Sequence, residues 1–229
     1  MAGIEVVATD LAESFRAGLS PHLDHAVRVA DPFHVVRVGN RCLDKVRRRV
    51  QNETLGHRGR KADPLYRIRK LLLTGGERLD QRGEKRMLLG LRIGDPHDEV
   101  LGAWLAKESV REVYLTDDPA VAATLLDKAI AGCAADDVEE IRSLGTTLAS
   151  WRTEILAHHH TGASNGPTEG LNLPVKRIKR CGHGFKRFEH YRLRVLLHAG
   201  GVTWPSRPLP PRIRNGLSPL SRVGPDMHF

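Results

Sequence analysis

Residues 4–34 read IEVVATDLAESFRAGLSPHLDHAVRVADPFH, and their reading decides the fold. Ile4 to Ala8 is a short β-branched apolar run, the pattern of a buried strand. Asp10 stands at its C-terminal end. Leu11 to Leu19 suits a short helix, which Ser20-Pro21 is expected to break. Val27 to Ala30 is a second apolar run and ends in Asp31-Pro32-Phe33-His34. Strand, helix and strand within about thirty residues make a βαβ crossover, which implies parallel pairing. An α/β fold follows, with carboxylates at strand ends, where α/β folds bind ligands.

Both carboxylates also have local readings. Asp10 precedes a helix with Glu13 three residues on, a capping-box spacing. Asp31 can organise a turn and His34 can be a packed histidine. Residue type and spacing alone leave these alternatives open.

Beyond residue 34 the chain reads as helical. Val35 to Val50, Leu65 to Leu73 and Glu77 to Leu91 are helix candidates, and the Arg- and Gly-rich stretch from Gln51 to Asp63 reads as a loop. Asp95-Pro96 and Asp118-Pro119 each place an N-cap aspartate before a proline at the first helical position. Asp136 or Asp137 can cap a third helix, whose stripe of Val138, Ile141, Leu144, Leu148, Trp151 and Ile155 has 3.6-residue periodicity. His158 to Asn165 is expected to be a polar loop. Three histidines in a row, His158 to His160, do not converge on one ion.

Ser164 to Asn172 approaches a further helix, with Pro167 and Glu169 in its first turn. Thr168 to Arg180 and Phe188 to Leu197 are the last helix candidates. Between residues 176 and 194 stand eight basic residues, Lys176, Arg177, Lys179, Arg180, Lys186, Arg187, Arg192 and Arg194, against the single acid Glu189. Phe185, Phe188 and Tyr191 are interleaved. That balance suits phosphate contact better than a solvated helix face. Across all 229 residues, 36 Lys and Arg against 27 Asp and Glu leave a net charge of +9, which also points to a polyanionic partner.

Three separated cysteines, Cys42, Cys133 and Cys181, indicate neither a disulfide framework nor a zinc ribbon. They fit a reducing cytoplasm. No membrane span or signal peptide is expected. The Pro- and Arg-rich tail is expected to be disordered.

Together these stretches resemble the ISL-three family of insertion-sequence transposases. The resemblance rests on VVATDLAESFRAGL, HAVRVADPFHVVRVGNRCLDKVRRRVQ, SLGTTLASWRTEILAHHHTGASNGPTEGLN and KRIKRCGHGFKRFEHYRLRVLL, in the family's order and spacing. It implies a partial RNase H-like core interrupted by a large all-α insertion. Residues 1–39 would be core, 40–158 the insertion, 159–203 the return to the core, and 204–229 a tail. It also implies a DDE site cutting DNA with two Mg²⁺ or Mn²⁺ ions. By a template from related Mutator-like transposases, Thr9-Asp10 carries the second catalytic aspartate, and Asp31 with His34 forms the signature that follows it. Asp31 is the alternative second aspartate. Glu169 matches the final glutamate, so Asp10 and Glu169 would be metal ligands. Lys176, Arg177, Lys179, Arg180, Lys186 and Arg187 would contact DNA, and self-association is left open.

The family's first aspartate, zinc-binding region and helix-turn-helix lie upstream of the point where this sequence starts. Most members also lack a proline where Pro174 stands. The expectation is therefore a truncated transposase domain, inactive alone. Two other readings stand beside it: an active transposase whose true start lies upstream or whose missing part is supplied in trans, and a non-catalytic DNA-binding or regulatory protein.

Overall fold

A computed structural model describes residues 3–199, and the chain divides into two compact units after Glu169. The expected tail lies outside the described residues.

In the first unit, strand β1 (Val6–Thr9), helix α1 (Glu13–Leu23) and strand β2 (Val27–Ala30) form the expected crossover. The strands pair in parallel, with Val6 opposite Val27 and Thr9 opposite Ala30. The crossover and parallel pairing thus match the sequence reading. β1 is not buried as its composition suggested: Val6 is exposed and the other three residues are only partly covered. Each strand has a single paired neighbour among the described residues. β2 is the buried strand at its end, with Val29 and Ala30 in the core, because helix α8 (Arg152–Thr161) packs on it.

Proline at position 21 does not end α1, which continues to Leu23. The buried Leu23 side chain anchors the last turn. The Ser20 hydroxyl donates to the Arg16 carbonyl at 3.0 Å.

The remainder of the unit is helical. Helix α2 (Pro32–Leu55) continues beyond the expected end, because Gln51 faces the core and takes the Arg47 guanidinium. Gly56 stops it with φ of 71°, a left-handed conformation that glycine adopts without strain. Helix α3 (Pro64–Leu73) follows. The expected helix over Glu77 to Leu91 resolves into a short 3-10 turn at Gly76–Arg78 and helix α4 (Gln81–Gly94), which Asp80 caps by accepting from Gly83 N at 2.7 Å.

Asp95 does not cap the next helix in the expected way. It is the last cap of α4, and helix α5 (Glu99–Glu112) starts later, after Asp98 at φ of 55°. The Asp95 carboxylate reaches forward instead and accepts from Leu101 N at 2.9 Å. Asp118 does cap helix α6 (Pro119–Ala134), accepting from Ala120 N at 2.8 Å. Helix α7 (Glu139–Ser150) has Val138 at its N-cap, with Asp136 accepting from Val138 N at 2.8 Å.

The stripe Ile141, Leu144, Leu148, Trp151 and Ile155 is buried as expected, but it crosses two helices. The chain leaves helical geometry at Trp151, with φ of −108° and ψ of 13°, and resumes as α8. That short break preserves the phase of the stripe while letting α8 turn onto β2. The expected loop from His158 is shorter than predicted, since α8 runs to Thr161 and ends at Gly162, φ 66°.

Cys42 and Cys133 are buried in this core, and burial pushes their thiols up to about 12 and about 11. Cys181 is exposed.

Helix α2 is tied to α7 by Arg49, whose Nε donates to Glu140 Oε1 at 2.9 Å. This guanidinium holds the Glu140 carboxyl below its usual 4.5. A depressed carboxyl stabilises the fold above the unfolded value, and that contribution is lost as pH falls through the folded one. Glu140→Gln is therefore expected to cost about 1 kcal/mol at neutral pH. Urea unfolding at pH 7 and at pH 3 checks this, since the gap between the proteins should close in acid.

The second unit holds the rest of helix α9 (Gly166–Cys181) and helix α10 (Phe188–Ala199). α9 runs through Pro174. Phe185 and Tyr191 pack at 5.3 Å between ring centroids, and the Arg194 guanidinium lies 5.5 Å over the Phe185 ring.

Candidate functional site

The end of β1 and the end of β2 meet at one histidine. Parallel pairing sets Thr9 beside Ala30, and the next ladder bond runs from Asp31 N to the Thr9 carbonyl at 3.0 Å. Asp10 and Asp31 therefore leave the sheet side by side. Pro32 starts α2 at its first turn, and His34 follows in that same turn. His34 Nδ1 lies 2.9 Å from Asp31 Oδ2, and its Nε2 lies 3.1 Å from Asp10 Oδ1. The ring bridges the two carboxylates. Both nitrogens can donate at once only as the imidazolium; the neutral ring serves one carboxylate as donor. Phe33 meets the His34 ring edge-on at 5.2 Å and steadies it.

The two aspartates differ in environment. Asp31 is the N-cap of α2, and its side chain is 5% exposed. Its Oδ1 accepts from Asn165 N at 2.8 Å, and its Oδ2 faces His34 N at 3.4 Å as well as the ring. Its oxygens are thus occupied by protein donors, and the turn-and-cap reading of Asp31 holds. The capping-box reading of Asp10 does not. α1 has Ala12 at its N-cap with no side-chain bond, and Asp10 turns to His34 instead. The Asp10 side chain is 42% exposed and offers Oδ2 to solvent.

The segment before α9 is fastened to the same place. His158 Nδ1 donates to the Ala163 carbonyl at 2.8 Å, folding the chain back after α8. Asn165 N then reaches Asp31, and Glu169 N donates to the Asn165 carbonyl at 2.9 Å. Glu169 stands in the first turn of α9 with an exposed side chain, one helical turn beyond the residue that grips Asp31. The structure brings Asp10, His34 and Asp31 together in side-chain contact. Glu169 is linked to them through backbone only, and its carboxylate makes no hydrogen bond or ion pair among the described residues.

Four residues, Tyr114, His158, His159 and Asn165, make contacts that sequence reasoning did not foresee. Tyr114 stacks on His159 at 5.7 Å and meets His158 at 5.8 Å. Burial, and then the negative charge of Asp31, push its hydroxyl upward. Burial and the neighbouring histidines push His159 downward. His158 and His159 thus pack against Tyr114, and His158 also holds the Ala163 carbonyl, where sequence assigned them no role. Asn165 acts through its backbone, for which residue type carries no signal.

The described residues do not by themselves fit a two-metal site. No group of three or more His, Cys, Asp and Glu side chains among them is arranged to hold a metal ion. Asp31 is occupied, and Asp10 is the one side chain of the cluster with an open carboxylate oxygen.

In the second unit, Lys176, Arg177, Lys179 and Arg180 are exposed on α9, and Lys186 and Arg187 are exposed in the turn before α10. None of them makes an ion pair among the described residues. No described helix is long and apolar enough to cross a membrane.

Comparison with known proteins places these residues in context. The sequence profile of a DDE transposase family of ISL3 type, described as a transposase, matches residues 1–195. The transposase for insertion sequence element IS1001 of Bordetella parapertussis is 24% identical over 197 residues, covering 84% of this chain and 47% of that protein. The transposase for insertion sequence element IS1557 of Mycobacterium tuberculosis is 26% identical over 205 residues, covering 81% of this chain and 45% of the relative. The chain thus spans about half the length of these relatives. No solved structure matches it. With a profile match over 195 residues that includes the β1 and β2 ends and the start of α9, the chain belongs to the ISL3 family of DDE transposases.

Proposed function

We propose that this chain supplies one acidic corner of an RNase H-like DNA-transposition site. Asp10 is the reacting carboxylate, with His34 and Asp31 as its positioning residues and Glu169 as the second catalytic acid. The observation that carries this reading is the His34 bridge. It fixes the Asp10 carboxylate at a sheet end while leaving one oxygen open, and the Asp31 that anchors it also grips the approach to α9. The exposed cations from Lys176 to Arg187 suit the DNA backbone, because phosphate neutralisation supplies most sequence-independent affinity.

The family points to a divalent metal, whose part in such sites is to activate the attacking oxygen and steady the leaving one. Carboxylates suit it because Mg²⁺ and Mn²⁺ prefer oxygen ligands. Asp10 and Glu169 are the two ligands proposed from this chain. Two carboxylates, one of them reached only through backbone, are a poor metal site, so the chain by itself is expected to be inactive.

A strand-cleavage assay on DNA bearing the element's terminal repeats, with magnesium or manganese, tests both parts. The expected result is no cutting by this chain. Robust cutting that disappears with Asp10→Ala would keep the site and refute the inactivity. Cutting that persists in both Asp10→Ala and Glu169→Ala would remove the site assignment altogether.

A second reading, DNA binding without cutting, is favoured by the exposed, unpaired basic residues of α9. Binding that survives Glu169→Ala but weakens with added salt and with Lys176 to Arg180 neutralised would support it.

A further inference from the structure

The chain's positive charge is concentrated in two places. One is the segment from Lys176 to Arg194. The other is the stretch from Arg58 to Arg92, with eleven Lys and Arg against four Asp and Glu. Each stretch is net +7, so the rest of the chain is net −5 against the overall +9. The second stretch forms the end of the α2–α3 turn, α3 and α4, within the first unit.

Its cations are paired less often than those elsewhere in that unit, where Arg37, Arg41, Lys45, Lys128 and Arg142 are the ones without an acidic partner among the described residues. On α2, Arg47, Arg48 and Arg49 are all engaged with acids, and so are Arg16, Arg111 and Arg152. Of the eleven between Arg58 and Arg92, Arg78 alone has an acidic partner among the described residues. Three of the four acids close by are engaged: Asp63 serves His57 and Arg60 N, Asp80 caps α4, and Glu77 takes Arg78 and Arg111, while Glu84 is exposed on α4 and pairs with none of these cations among the described residues. Unpaired like charges repel one another across a fold, which disfavours the compact state. Clustering them has a physical rationale when an anion binds there.

The packing gathers them on one surface. α3 turns Leu65, Ile68 and Leu72 inward, and α4 turns Met87, Gly90 and Leu91 inward. A Cβ at Gly90 would lie 2.6 Å from Ile68 Cγ2, so the helices touch at that point. Arg67 and Arg86 flank this contact, outward and exposed. With Lys61, Tyr66 and Arg69 they line an open concavity of about 490 Å³ that holds four cations, one aromatic ring and no acid. The Arg69 guanidinium stacks 3.9 Å over the Tyr66 ring and donates to the Tyr66 carbonyl at 2.7 Å. That fixes its plane and leaves its other nitrogens free for a bidentate anion. Arg82 and Lys85 extend the same exposed side of α4. A row of cations on α3, α4 and the turn before α3 matches a chain of phosphodiesters better than a single phosphate.

We infer that the α3–α4 surface is a second DNA-backbone contact, separate from the α9–α10 segment and centred on Lys61, Arg67, Arg69 and Arg86. It rests on the reading of this chain as a DNA-transposing protein. It assigns to the helical insertion a role in gripping duplex DNA through phosphates, without reading sequence.

Fluorescence anisotropy of the full chain with a labelled random-sequence duplex tests it across a salt series. The triple variant Lys61→Ala, Arg67→Ala, Arg86→Ala is expected to weaken binding on the order of tenfold and to lower the salt slope by about 3, one phosphate for each cation. All three positions are exposed, so the thermal midpoint should stay at the wild-type value, and Arg67→Lys with Arg86→Lys should retain most of the slope. If the triple variant binds with wild-type affinity and slope while Lys176→Ala, Arg177→Ala, Lys179→Ala, Arg180→Ala does not, the α3–α4 contact is refuted and DNA binding stands. If the wild-type chain shows no salt-dependent binding, both readings fall.

Discussion

Asp31→Ala is expected to lower the stability of the first unit by about 3 kcal/mol, from a lost helix cap and a stranded backbone donor. The first term is the N-cap of the 24-residue α2, worth about 1 kcal/mol. The second is Asn165 N, which loses its acceptor at the edge of the core and then costs about 1–3 kcal/mol if no water replaces it. For a chain of this size a loss of 3 kcal/mol moves the thermal midpoint by about 9 °C. Calorimetry reads the total. Amide hydrogen exchange separates the parts, because the Asn165 amide should exchange faster than those of α6 and α7. Asp31→Asn keeps one carbonyl oxygen as an acceptor and should recover much of the loss. Unchanged exchange at Asn165 would mean that Asp31 does not tether the approach to α9.

The second large effect is expected at Ile155. This side chain is fully buried on α8, the helix that packs on β2 and leads into the Asp31-binding loop. Truncating it to alanine removes three buried carbons and leaves a void, at a cost of about 3 kcal/mol. Ile155→Val should cost about 1 kcal/mol. Chemical denaturation of the three proteins tests the ordering. Equal stabilities would show that the α8–β2 contact collapses around the gap and contributes little. Ile155 stands in the buried core on α8, and α8 leads to the Asn165 loop, which reaches Asp31 and through it His34 and Asp10.

Membership in the family says which acids to look for, and the local geometry divides their work. Asp31 is consumed by structure, accepting from a helix start, a histidine and a distant backbone amide. Asp10 keeps an open oxygen. This division supports Asp10 over Asp31 as the reacting group, on physical grounds independent of the template that first suggested it.

Much of this protein is written locally. The parallel β1–α1–β2 crossover, the Asp118 cap and the phase of the stripe from Ile141 to Ile155 follow from strand composition, side-chain capping and helical period, each set within a few residues. The basic run after Glu169 and the family's motifs are equally legible in the residues themselves. Other features depended on packing: the exposure of β1, the run of α1 through Pro21, the break at Trp151 and the escape of Asp10 from a capping-box role. The meeting of Asp31 with Asn165 spans 134 residues, and the α3–α4 surface arises where Gly90 lets two helices touch. Hydrogen-bond spacing along a chain can announce a cap or a turn. Only the folded core decides which side chains separated by a hundred residues share a site, and which cations are left without an acid.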